Sequence, residues 1–304
     1  MASFSASDIA LTGFRIVREK PRAALIWAAI QLVFSGCMMV MMFLTIGPVF
    51  AKALALTPLE RRDPTVILAT YGALLPAYLL IMPVALVFYA ILFATMNRAV
   101  LQPDDERFGY LRLGRDELRQ LGLFLLAAIV GIAGYIALVI LLVVVAVVFA
   151  LISAPFMGQA GHAPAVLGAV LMVLCIFGAE VFVCVRLSLA SALTFATGKV
   201  DLFGSWRLTK GRFWALFGAY LISWMLGLVV MFLTLVITLA VMAASGGGLA
   251  GVAMLLHPDM SSLGAYLTLP RLLGAVVGAA GGALMWPVLL TPPAAAYKAL
   301  TAEP

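Results

Sequence analysis

Gly204-Ser205-Trp206-Arg207-Leu208-Thr209-Lys210-Gly211-Arg212-Phe213-Trp214 is short, basic and aromatic, and it runs straight into a long apolar stretch. The same form occurs twice earlier. Phe14-Arg15-Ile16-Val17-Arg18 precedes the first apolar run, and Leu111-Arg112-Leu113-Gly114-Arg115 precedes the third. Arg15 and Arg112 are 97 residues apart, and Arg112 and Arg207 are 95 apart. A near-constant period is the mark of an internal repeat. The units are 8–97, 104–195 and 200–297, each a short amphipathic helix followed by a helical hairpin. A simpler account is also open, because basic residues collect wherever an apolar run meets cytoplasm.

Composition sets the class. The 304 residues are 65% hydrophobic and 11% charged, whereas soluble domains are nearer half apolar and a quarter charged. A water-soluble core has no room for this much apolar surface. The expected fold is all-α and polytopic, with six transmembrane helices arranged as three hairpins, each preceded by a short interfacial amphipathic helix. At roughly 20 apolar residues per crossing, the spans fall at about 23–50, 66–97, 121–152, 165–190, 213–244 and 270–297. The first apolar run far exceeds the roughly 7–15 residues of a signal-peptide core, so it reads as a retained span.

The net charge of +6 is explained by topology and anionic lipid rather than by nucleic acid. With the N-terminus inside, the cytoplasmic segments carry fifteen Lys and Arg and the opposite side carries four. Both termini are therefore expected in the cytoplasm of a bacterial inner-membrane protein. Cys37, Cys175 and Cys184 all lie within apolar runs and read as free thiols.

Ser7 or Asp8 is expected to cap the leading helix, with Ile9, Phe14 and Val17 near one face and Arg15, Arg18 and Glu19 toward water. Asp104 or Asp105 is expected to cap a second interfacial helix, braced by an attractive Arg112–Asp116 pair and opposed by Arg115–Arg119. Pro76 and Pro83 bend span 2 toward one face. The uncharged turn 153–164 joins spans 3 and 4. Ser245-Gly246-Gly247-Gly248 opens the loop before span 6, and Pro270 fits that span's first turn. Gly274, Gly278 and Gly282 form a double GxxxG, a face on which another helix or chain can approach closely.

Glu180 is the one acid deep within a span. It is expected to face the bundle interior, with Arg271, Tyr135, Asn97 or Gln31 as its partner. Arg186, nearer the end of the same span, is expected to snorkel to the headgroups. His162 and His257, with Asp259, fall in loops without metal-motif spacing. No nucleotide, metalloprotease or serine-hydrolase motif occurs, and no cofactor is expected. Arg15, Arg112, Arg186, Trp206, Arg207, Lys210, Arg212 and Trp214 are the candidate lipid-headgroup contacts, since indoles favour the headgroup level and cations attract phosphate. Ordinary topology anchoring accounts for the same residues.

Arg186, followed by Ser205, Leu208, Gly211 and Trp214, resembles a pattern of bacterial membrane proteins related to the membrane domain of glycerophosphoryl diester phosphodiesterases. The specific likeness covers about 35 residues. Relatives often carry an acid upstream of the serine, where this chain has Thr197-Gly198. In that family catalysis belongs to a separate soluble domain, which this sequence lacks. The resemblance implies a non-enzymatic membrane component linked to phospholipids, as scaffold, regulator or lipid handler. Two other readings stand beside it: a small-solute or proton-coupled transporter using Glu180, and a structural subunit that forms a homo- or hetero-oligomer through span 6.

Overall fold

The computed structural model describes residues 5–153 and 163–302, which form helices and turns. Six helices are long and apolar enough to cross a membrane. Two short helices lead the chain, α1 (Ala6–Ala10) and α2 (Thr12–Glu19). Span 1 is α3 (Pro21–Thr45), continued by α4 (Gly47–Ala55). Span 2 is broken into α5 (Pro64–Gly72) and α6 (Leu74–Leu101). The break at Ala73 lies three residues before Pro76, whose ring cannot coexist with an undisturbed preceding turn. Span 3 is α7 (Arg115–Ser153) and span 4 is α8 (Ala163–Leu187). Two short helices follow, α9 (Ala190–Thr197) and α10 (Gly204–Leu208). Span 5 is α11 (Phe213–Ser245), and α12 (Leu249–Leu256) and α13 (Leu263–Tyr266) lead to span 6, α14 (Leu269–Thr301). Most of the turn expected at 153–164, and His162 with it, lies outside the described residues.

Helix boundaries follow local chemistry. Ser5, rather than Ser7 or Asp8, caps α1 by accepting from the Asp8 amide. Asp63 caps α5, with Pro64 at its first position. The Thr65 hydroxyl and the Thr65 amide, at 2.7 and 2.8 Å, hold the Asp63 carboxyl below its ordinary range. A lowered carboxylate stabilises above its unfolded pKa and loses that contribution as pH falls through the folded value. The start of α5 should therefore fray only in strong acid, below about pH 4. The Thr65 amide resonance of the detergent-solubilised protein should move in that window, and in Asp63→Asn should not.

Packing is concentrated at the end of the bundle that carries the basic segments. The leading helices do not lie free there. Ile9 joins Val185, Leu189, Leu216, Ala219 and Ala296 in one buried cluster. Gly13 lets α2 meet the backbone of α14, since a Cβ there would stand 2.5 Å from the Pro287 carbonyl.

The second basic segment corrects the interfacial helix expected to start at Asp104 or Asp105. Residues Arg107–Tyr110 form a 3-10 turn with Phe108, Gly109 and Tyr110 at positive φ, and helix resumes only at Arg115. The cause is Arg98, which is 1% exposed. It donates to the Tyr110 carbonyl (2.5 Å) and to Glu117 (2.8 Å), reaches Asp116 (3.4 Å), and lies 5.5 Å from the Phe195 ring. Glu117 also accepts from the Gly114 amide (2.9 Å), closing the start of α7 in capping-box fashion. Trp27 Nε1 donates to the Gly109 carbonyl (2.8 Å), pinning the turn to α3. Asp116 is thereby drawn to Arg98 and Arg119, and Arg112 pairs with Asp105 instead of Asp116. Beside this hub, Asn97 donates to Ser191 (2.8 Å), Ser191 to Gln120 (2.9 Å), and Gln120 to the Ser191 carbonyl (2.9 Å). These bonds tie α6, α7 and α9 together.

Away from that end the hairpins differ. α11 and α14 pack through glycines: Gly274 faces Thr238 and Met242, Gly281 meets Thr234, and Gly227 admits Leu289. Gly282 faces Gln31 of α3. The Gly274/Gly278/Gly282 face is therefore largely used within the chain, and of the three only Gly278 has open space around its Cβ position. In contrast, α7 is exposed around its circumference over Val143, Val144, Val145, Val147 and Val148. At 1.5 Å per residue it is roughly 58 Å long, against about 30 Å for a hydrocarbon core.

Candidate functional site

Three helices line a cleft of about 1070 Å³ near the basic end. Helix α8 contributes a stripe at helical spacing, Phe177, Glu180, Val181 and Cys184, extended by Ser188 just past its end. Helix α11 contributes Phe213, Phe217, Tyr220 and Trp224 at steps of three and four, and α14 contributes Leu289 and Pro293. The lining is overwhelmingly apolar and aromatic, with a few convergent polar groups, which is the usual build of a small-molecule site. Ser188 and Tyr220 share a hydrogen bond of 2.8 Å, and Ser223 donates to the Ala219 carbonyl (3.0 Å). Glu180 stands exposed on the cleft wall rather than inside the bundle, and among the described residues it makes no ion pair.

The partners expected for Glu180 are engaged elsewhere. Asn97 bonds Ser191, Gln31 donates to Ser35 (3.3 Å), Arg271 lies 4.2 Å over the Tyr266 ring, and Tyr135 is exposed on α7. Arg271 and Tyr266 belong to a second cavity, of about 500 Å³, at the other end of the bundle beside Met39, Met42, Met242 and Met260.

Arg186 is not itself part of the cleft lining; it lies one helical turn beyond Phe182, which is. Its burial corrects the snorkelling expectation: it is 9% exposed. Its guanidinium lies 4.9 Å from the Trp206 ring and 5.7 Å from Phe182. The main chain at this point is stapled to α10. Ser205 donates to the Arg186 carbonyl (2.8 Å) and accepts from the Leu189 amide (3.1 Å). Thr209 reaches the same carbonyl (3.2 Å) and accepts from Arg186 Nη1 (3.3 Å). The staple satisfies a carbonyl that the end of α8 would leave open. It also brings together the Arg186 and Ser205 of the sequence pattern. Gly211, another member, takes φ +79 and turns the chain into α11. Phe182 links the arginine to the cleft: it touches Trp206 and Arg186 on one side and Phe213 (5.3 Å) on the cleft side.

The other expected headgroup contacts divide. Trp214 lines the cleft and is 78% exposed. Arg207 is exposed and lies 3.7 Å from Asp201, and Lys210 is exposed. Arg212 is half-buried beside the start of α11. Arg15 (4.0 Å from Asp8) and Arg112 do not line the cleft. Nothing local in the sequence marks Phe182 or Tyr220; the available signal is the spacing Phe213, Phe217, Tyr220, Trp224, which reads equally well as ordinary core. Among the described residues no three of His, Cys, Asp and Glu converge as metal ligands. No family model, curated protein or solved structure matches this chain.

Proposed function

We propose that this chain is a non-enzymatic, multi-pass protein of a bacterial inner membrane that holds a membrane lipid in the α8/α11/α14 cleft. The reading is supported by one observation above all: an aromatic, apolar cleft of about 1070 Å³ lies among helices of membrane-crossing length. A ligand taken from the bilayer has already been desolvated by it. Lysine and arginine asymmetry supports a cytoplasmic location for the basic end, which puts the cleft in the inner leaflet and both termini inside. Scaffolding, regulation and lipid handling all use such a site.

Gly178→Trp tests the reading. Gly178 lines the cleft and has nothing within 4 Å of its Cβ position, so the indole can enter without displacing backbone. Lipid retained by gently extracted protein, counted by native mass spectrometry, should fall by about tenfold, equivalent to roughly 1.4 kcal/mol. Unchanged retention would contradict the reading. A second reading, transport of a small solute or proton, is supported by Glu180 on the cleft wall. It requires that Glu180→Gln abolish a flux.

A further inference from the structure

Two arginines of this chain are almost fully enclosed, and they are treated differently. Arg98 has Glu117, Asp116 and the Tyr110 carbonyl around it. Arg186, with nine-tenths of its surface covered, has no carboxylate in pairing range among the described residues. Its Nε is buried without a hydrogen-bond partner, and its one side-chain hydrogen bond to the protein is the long contact to Thr209. Burying a charge unpaired is costly. Contact with the Trp206 and Phe182 rings and the α8 C-terminus recover only part of that cost. A cation left short of compensation, set against two rings that also touch each other and joined through Phe182 to an apolar cleft, is the arrangement expected of an anion site.

We infer that Arg186 reads a phosphate group, and that the ligand of the cleft is an amphiphile whose phosphate meets Arg186 while its apolar portion lies along Phe213 and Phe217. The inference rests on the cleft reading and deepens it. Arginine suits the task because its planar fork presents paired donors to phosphate oxygens, while both of its faces remain free for stacking on aromatic rings.

The test uses the intact wild-type chain in detergent micelles doped with equal amounts of dioleoyl phosphatidic acid and dioleoylglycerol. These share acyl chains and differ by the phosphate. Native mass spectrometry should find the phosphatidic acid retained about tenfold more than dioleoylglycerol. Arg186→Gln should erase that preference, and Arg186→Lys, which keeps the charge at the helix end but not the fork, should restore only part of it. Equal retention of the two lipids by wild type would overturn the phosphate inference and leave the cleft reading intact. Retention of neither would sink both. If Arg186→Gln fails to fold, the wild-type comparison decides alone. Sodium phosphate supplies the remaining arm: thermal stabilisation by millimolar phosphate, lost in Arg186→Gln, would support the phosphate chemistry and assign its source to a free ion. No effect of sodium phosphate, together with the lipid preference, assigns it to a headgroup.

Discussion

Arg98→Met should destabilise the protein by about 3–5 kcal/mol, the usual result of removing one partner from a buried ion pair. The side chain makes contacts that no other residue replaces. Without it Glu117 keeps a buried carboxylate beside the Gly114 amide, and the Tyr110 carbonyl loses its donor. The left-handed turn through Phe108, Gly109 and Tyr110 then keeps Trp27 and the Tyr110 hydroxyl's bond to the Pro103 carbonyl (2.9 Å), but no charged partner. Non-glycine residues in that region are disfavoured and persist where their surroundings over-determine them. Thermal unfolding in detergent should show a clearly lowered midpoint. Arg98→Met with Glu117→Gln should recover part of the loss, because the second change removes the stranded charge. A double variant as unstable as the sum of the two singles would show that the two side chains are not coupled, and a single variant of wild-type stability would remove Arg98 from its central place.

Gly13→Val is the second large effect. The added Cβ would stand 2.5 Å from the Pro287 carbonyl carbon and oxygen and from the Val288 nitrogen. These are backbone atoms and cannot rotate away, so α2 must lift from α14. Ile9 leaves its cluster with Leu216 and Ala296 in the same movement. Overpacking of this kind costs about 1–3 kcal/mol or more. Hydrogen exchange over residues 6–19 should accelerate strongly while α11 stays protected. Unchanged protection of the leading helices would place them outside the packed core.

The six spans were legible because membrane crossing is dictated by composition and length, which a single chain displays directly. Pro270 in the first turn of α14 and the positive-φ turn at Gly247 and Gly248 were legible for the same local reason. Arg98 was not. It ends an apolar run like any topology anchor, and its burial depends on Glu117 and Tyr110 arriving from a later turn. The interfacial helix expected to start at Asp104 or Asp105 failed because spacing alone ignored that pull. In span 6, Gly274 and Gly282 meet side chains of α11 and α3 of the same chain, while Gly278 has open space, a division that spacing alone does not display. Arg186 was recognised by position, while its enclosure by Phe182 and Trp206 required α10 to fold back over the end of α8.

The most direct test of the lipid-holding cleft is photo-crosslinking in intact membranes, with a phospholipid carrying a diazirine in its acyl chain and adducts mapped by peptide mass spectrometry. Helix α7, exposed on all sides along its outer half, reports incidental bilayer contact. The account predicts adducts enriched on the cleft walls, at residues 177–188 of α8 and 213–224 of α11, well above the α7 level, and reduced to that level by Gly178→Trp. Labelling of the cleft no denser than that of α7, and unaffected by the added indole, would contradict it.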